Sequence, residues 1–105
     1  MLEDKKRWRL RRDLKKGKFC FLIGIDNWSI ELQKSEFESL YFLLLKINEQ
    51  FLGIKNELMA EESITLVLEQ LPWFIELEGK KNEWSLRFVF ESQDQTRSFE
   101  MYWPI

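Results

Sequence analysis

The chain has no histidine, one cysteine, two prolines and four glycines in 105 residues. Without histidine there is no imidazole general base, no imidazole metal ligand and no Ser–His or Cys–His nucleophile pair. A single cysteine, Cys20, rules out an intrachain disulfide and fits a reducing, cytoplasmic setting. No apolar run approaches the roughly 18 residues of a membrane span. The N-terminus is charged from Glu3 onward and has no signal-peptide core. The glycines form no phosphate-cradling loop, and Walker, Rossmann and zinc-finger spacings do not occur. These absences predict a protein that is not an enzyme, holds no cofactor or metal, and does not insert in a membrane.

What is present is ordinary for a globular chain in amount and unusual in kind. Hydrophobic residues make up 45% and charged residues 32%, which argues against disorder, while five tryptophans and nine phenylalanines bring aromatics to 15%. The length suits one domain over residues 1–105. Net charge is −2, but residues 1–18 carry nine basic groups against three acidic ones. This segment, with Lys5, Lys6, Arg7, Arg9, Arg11, Arg12, Lys15, Lys16 and Lys18 around Trp8, reads in two ways. It has the charge of an arm that touches phosphates, with Trp8 as a stacking platform for a base. It also has the period-two alternation of a half-buried strand with one solvated face, through Arg7, Trp8, Arg9, Leu10 and Arg11.

Along the chain the pattern predicts strands, one helix, then four strands. A short strand is expected over about 7–12, followed by a turn at Lys15 to Lys18. The continuous apolar run from Phe19 to Ile25 predicts a second strand, the Asp26–Asn27 pair a tight turn, and alternating Trp28, Ile30 and Leu32 a third strand. At Ser35 the period changes. Ser35 and Glu38 have the spacing of a capping box and predict a helix over roughly 36–52 that Gly53 weakens. Phe37, Leu40, Tyr41, Leu44, Ile47 and Phe51 make its apolar face. Leu43, Leu45 and Leu52 widen that face to about 200°, and Phe42 lies outside even this arc, where about 100° suffices against one sheet. Either the sheet curls round the helix or a second copy covers the surplus, and the second is the expectation here. Four alternating segments follow, around Leu66, Ile75, Phe88 and Met101. They are joined by short connections at Pro72, Gly79–Asn82 and Ser92–Gln95, and predict an antiparallel meander. Strands, helix and strands without βαβ alternation define the α+β class.

In these strands one row is apolar and aromatic, and the other holds Glu31, Glu69, Glu76, Glu78, Glu91 and Glu100 with Arg87 as its one basic group. Phe74, Val67, Val89 and Tyr102 sit among these carboxylates, so part of this face is expected to be covered. Phe74, Glu76, Glu78, Arg87 and Tyr102 are therefore candidates for contact with a protein partner. A face of that sign repels phosphates, so any grip on single-stranded nucleic acid falls to the N-terminal basic segment. Glu76 and Glu78 have a separation compatible with acid and base roles, but alternating glutamates on an exposed strand are ordinarily solvation. Glu61 and Glu62 fit either a helix-end cap or a metal contact.

Trp8-Arg9-Leu10-Arg11-Arg12-Asp13, Phe21-Leu22-Ile23-Gly24 and Trp28-Ser29-Ile30-Glu31-Leu32 resemble the opening of a small family of cyanobacterial proteins, the domain of unknown function 1818. The resemblance continues through Leu58 to Ile64, Trp84 to Phe88, Arg97 to Glu100 and Trp103–Pro104. It implies no activity. It implies a fold similar to the single-stranded-DNA-binding transcriptional regulators (positive cofactor four, Pur-alpha and Whirly proteins), in which four-stranded sheet and helix units form helix-swapped dimers. The combined expectation is a homodimeric binding or regulatory module that docks a protein partner, with single-stranded nucleic acid as the alternative ligand.

Overall fold

The computed structural model describes residues 2–5, 8–13, 15, 17–25 and 28–104, with side chains for all of these except 2–5, 8, 25, 28 and 104. Four strands come first: β1 (Leu2–Lys5), β2 (Trp8–Arg12), β3 (Phe21–Ile25) and β4 (Trp28–Leu32). Then come α1 (Lys34–Lys55) and four more strands: β5 (Ile64–Gln70), β6 (Trp73–Lys80), β7 (Glu83–Glu91) and β8 (Ser98–Pro104). The strands form two antiparallel four-stranded sheets, each in chain order, with the helix between them in sequence. This is the α+β class that the pattern predicts. The chain divides into two compact units, residues 1–38 and 39–105.

In the first unit a strand appears that alternation does not reveal. Leu2–Lys5 pairs along Trp8–Arg12, with Asp4 opposite Arg9 and Leu2 opposite Arg11. Four residues, three of them charged, leave too little alternation to read; cross-strand pairing defines the element. β3 begins at Phe21, two residues later than its apolar run, and just before it the Asp13 amide donates to the Cys20 carbonyl across the preceding loop. Cys20, Phe21 and Ile23 are buried. The expected turn at Asp26–Asn27, and Lys16 within the earlier one, lie outside the described residues.

The helix starts ahead of its expected capping signal. The Phe37 amide donates to the Gln33 carbonyl at 3.0 Å, which makes Gln33 the residue before the first helical turn. Glu36, three residues on and buried, accepts the Gln33 amide at 2.8 Å. The reciprocal half of a capping box is thus made by Glu36 rather than by Ser35 with Glu38. Because β4 runs to Leu32, the helix must begin at once. At its far end α1 continues through Gly53, and Leu58 and Glu57 close it with backbone bonds to Lys55 and Ile54. The Met59 amide then donates to Glu62 at 3.2 Å, so Glu62 caps the following turn.

The second unit holds the meander. Its inner face is formed by Trp73, Ile75, Leu77, Leu86, Phe88, Phe90 and Met101, all buried. Trp73, Phe90 and Phe99 form a ring cluster with centroids 4.8–5.8 Å apart. Phe51 of α1 meets Trp84 at 6.0 Å, which seats the helix against this face. Gly79, expected in a turn, lies within β6 opposite Trp84. A Cβ there would run into the Glu83 carbonyl and the Trp84 backbone, so this glycine permits two strands to approach closely, and the turn narrows to Lys81–Asn82. The β7–β8 turn is tied by Asp94. Its carboxylate accepts the Ser92 and Thr96 hydroxyls at 2.7 Å each and the Thr96 amide at 3.1 Å. Gln95, at φ 59°, takes the left-handed conformation that closes the loop.

Candidate protein-docking face

Every second residue of β5–β8 points away from the buried row, and strand register assembles these residues into cross-strand rows, three of them central, with Lys80 opposite Glu83 at one end and Glu91 opposite Ser98 at the other. Thr65, Glu78 and Ser85 form one central row; Val67, Glu76, Arg87 and Tyr102 the next; Glu69, Phe74, Val89 and Glu100 the third. All five candidate contact residues, Phe74, Glu76, Glu78, Arg87 and Tyr102, therefore share one face. Glu31, grouped with them on alternation alone, belongs to β4 in the other sheet. Pattern fixes which side of its own strand a residue occupies, but it does not fix which sheet the strand joins.

Arg87 occupies the centre. Its Nε lies 3.5 Å from Glu76 Oε1, its Nη1 lies 3.3 Å from Glu100 Oε2, and its guanidinium carbon sits 5.4 Å from the Phe74 ring centroid. One cation thus bridges β6 and β8 across β7 and lies over an aromatic ring, an arrangement the planar guanidinium suits. The Tyr102 hydroxyl donates to Ser85 Oγ at 3.0 Å. Alternation alone does not single out Glu100 and Ser85 as partners, since only the register across β7 and β8 brings them beside Arg87 and Tyr102. With Arg87 engaged by two carboxylates and Lys80, at the end of β6, paired with Glu61, the remaining Glu69, Glu78, Glu83 and Glu91 leave the face acidic. Among these charges Val67 is 49% and Tyr102 58% exposed. Beyond Glu78 the surface falls into an open concavity of about 480 Å³, lined by Ser63, Glu78, Lys80, Glu83, Ser85 and Tyr102.

The residues singled out for nucleic acid are distributed differently. Lys6, Arg7 and Lys16 lie outside the described residues, and the side chains of Lys5 and Trp8 are likewise not described. Arg11, Arg12, Lys15 and Lys18 are exposed and Arg9 is half-buried. Arg9 and Arg11 share one side of β2, and Arg12 has the opposite parity. Acidic residues stand near them in the register: Asp4 opposite Arg9, and Glu31 opposite Leu22, which itself faces Arg11. Arg11 also lies 3.9 Å from the Asp13 carboxylate.

On α1, Leu40, Ile47 and Phe51 are buried within the chain, Phe37 and Leu44 are half-buried, and Tyr41 is exposed. Leu43 joins the buried row instead of Tyr41. Phe37 stacks on Phe21 at 4.3 Å with the rings 7° apart. Among the described residues there is no cluster of three or more metal-ligating side chains. Glu61 is paired with Lys80 at 3.5 Å. Among the described residues no helix is long and apolar enough to cross a membrane.

Fold and face together define an α+β chain with one helix that separates two antiparallel sheets in sequence and an acidic, partly aromatic sheet face. Residues 3–105 match the family described as Domain of unknown function (DUF1818), and the chain belongs to that family. A crystal structure from Prochlorococcus sp. NATL2A, described as a protein with unknown function from the DUF155 family, is similar to it. The TM-score is 0.93 and the identity 36%, over 99% of this chain and 86% of that one. No curated protein matches the chain.

Proposed function

We propose that the chain is a non-enzymatic binding module that docks a protein partner on the outer face of β5–β8. The observation that carries this reading is the gathering of Val67, Phe74 and Tyr102 among six carboxylates, with the two cations of the face, Arg87 and Lys80, already engaged. Exposed apolar side chains ringed by charge are a recurrent mark of an interaction surface. The sign of the charge selects a partner that presents lysines or arginines around an apolar contact. The concavity beside Glu78 and Glu83 suits a basic side chain from such a partner. An amphipathic peptide of alternating lysine and leucine is a direct probe. Titrated into the labelled protein, it is expected to shift the amides of Val67, Arg87 and Tyr102, with weakening as salt rises. An absence of shifts on this face at low salt would contradict the reading.

A second reading has its own support. Arg11, Arg12, Lys15 and Lys18 are exposed, and exposed basic side chains of this density are what a phosphate backbone meets. The acidic residues placed beside β2 by the register weigh against it. A mobility-shift assay with short single-stranded oligonucleotides separates the two. If this reading holds, replacing Arg11 and Arg12 by neutral residues flattens the salt slope by roughly 0.7 for each phosphate that is no longer neutralised.

A further inference from the structure

β5 is a terminal strand of its sheet. It pairs with β6 along one edge, and among the described residues no hydrogen bond reaches the other. Its seven residues pair in unbroken register, from Ile64 opposite Gly79 to Gln70 opposite Trp73. Terminal strands are ordinarily blunted by lysine, proline or a bulge, because a row of open amides and carbonyls pairs with any strand that reaches it. β8, at the far side of the sheet, ends in Pro104, which has no amide to give. β5 has none of these devices. Its one charge is Glu69, which is exposed and makes no ion pair among the described residues.

Packing is unfinished on the same side. Trp73, Ile75 and Leu77 of β6 are buried, whereas Ile64, Leu66 and Leu68, one strand out in the same inner layer, are only half-buried. Leu71, directly after the strand, is 73% exposed. One more strand, about 4.8 Å further out, would cover Leu66 and Leu68 from the open side. Its side chains would alternate between the two faces. Those in the inner layer lie beside Leu66 and Leu68 and have to be apolar. Those on the outer face lie beside Thr65, Val67 and Glu69, at the border of a surface whose own cations are engaged, and are favoured as lysine or arginine. Thr65 is short, so a basic side chain beside it reaches toward Glu78 on β6, two strand spacings or about 10 Å away. A second copy of the chain is a poor occupant. Pairing β5 with β5 would continue one acidic face into another, with Glu69, Glu76 and Glu78 of each copy on a common surface.

We propose that β5 is an edge for strand addition: an extended segment of a protein partner, alternating leucine or valine with lysine or arginine, pairs with β5 as a fifth strand of the sheet. Backbone hydrogen bonds supply the affinity, and the period-two match of apolar and basic side chains selects the partner. The inference rests on the reading of the outer face as a docking surface for a basic partner, and states how that partner lies.

Amide hydrogen exchange of the full chain at low salt, with and without the alternating lysine–leucine peptide, tests it. Saturating peptide is expected to slow exchange at alternate amides of Ile64–Gln70, those on the open edge, and to leave those already bonded to β6 unchanged. The same peptide N-methylated at its central residues keeps its side chains but donates no backbone hydrogen bonds there. It should bind roughly ten-fold more weakly, the worth of about two such bonds. If Val67, Arg87 and Tyr102 shift on binding while β5 gains no protection and the methylated peptide binds equally, the reading of the face stands and strand addition is overturned. If no amide of the face shifts, that reading fails and takes the inference with it. Alternate protection of β5 that appears without peptide and rises with protein concentration would place a second copy on the edge and overturn the proposal.

Discussion

The two faces of the β5–β8 sheet share one backbone, one set of ladder hydrogen bonds and one register, yet they differ in almost everything that side chains decide. On the inner face Trp73, Ile75, Phe88 and Phe90 have no exposed surface at all. On the outer face Tyr102 is more than half exposed, and the Glu100 side chain is 64% exposed. Because the ladder is common to both, the difference isolates burial. At about 25 cal/mol per Å² of apolar surface, the inner row supplies most of what holds this unit together. The outer row contributes little and is free to carry a surface chemistry. Its charge pattern therefore reads as a property of what the face meets.

The largest test of that asymmetry is Phe88→Ala. Phe88 lies between Ile75 and Met101 on the neighbouring strands, and its truncation should cost about 3–5 kcal/mol in a denaturant melt. A cost near that of an exposed position would mean that the inner row is not the core. Arg87→Ala is the intermediate case. Its side chain is 33% exposed, and its removal leaves Glu76, at 24%, half-buried without its cation. About 1 kcal/mol is expected, at the upper end for partly exposed ion pairs. A loss as large as that of Phe88 would make the outer face a structural element.

Asp94, in the turn at the end of both faces, sharpens the comparison through pH. The Thr96 hydroxyl, then the Ser92 hydroxyl and the Thr96 amide, hold its carboxyl well below the usual carboxylate range. A depressed carboxyl stabilises the folded chain above its unfolded value, near 3.9, and the contribution is lost as pH falls through the lower folded value. The wild type should therefore exceed Asp94→Ala in unfolding midpoint by a constant margin above about pH 5 that shrinks below about pH 4. A margin that grows on acidification would reverse the assignment.

The sequence makes the second unit legible because its strands are long and alternate without interruption. Trp73 to Leu77 and Trp84 to Phe90 announce their faces, and the short connections leave little choice but a meander. The first unit is less legible. Three of the four residues of β1 are charged, and only its pairing with β2 makes it a strand. The helix boundary differs from the expected one because the capping contact uses Glu36 and the preceding Gln33 backbone, whereas Ser35 and Glu38 carry the commoner motif. Of the candidate face, alternation yields its members. The bridge from Arg87 to Glu100 and the Tyr102–Ser85 bond depend on register across β7 and β8, which a period of two does not encode.

The most direct test of the account pairs binding with stability in one variant, Glu69→Lys with Glu78→Lys. Neither glutamate takes part in the Arg87 bridge, so the unfolding free energy should change within about 0.5 kcal/mol for each exposed site. Titration with the lysine–leucine peptide should then show the shifts at Val67, Arg87 and Tyr102 abolished or greatly weakened. A variant that binds the peptide as the wild type does, at equal salt and with its fold intact, would contradict the claim that the acidic outer face is the docking surface.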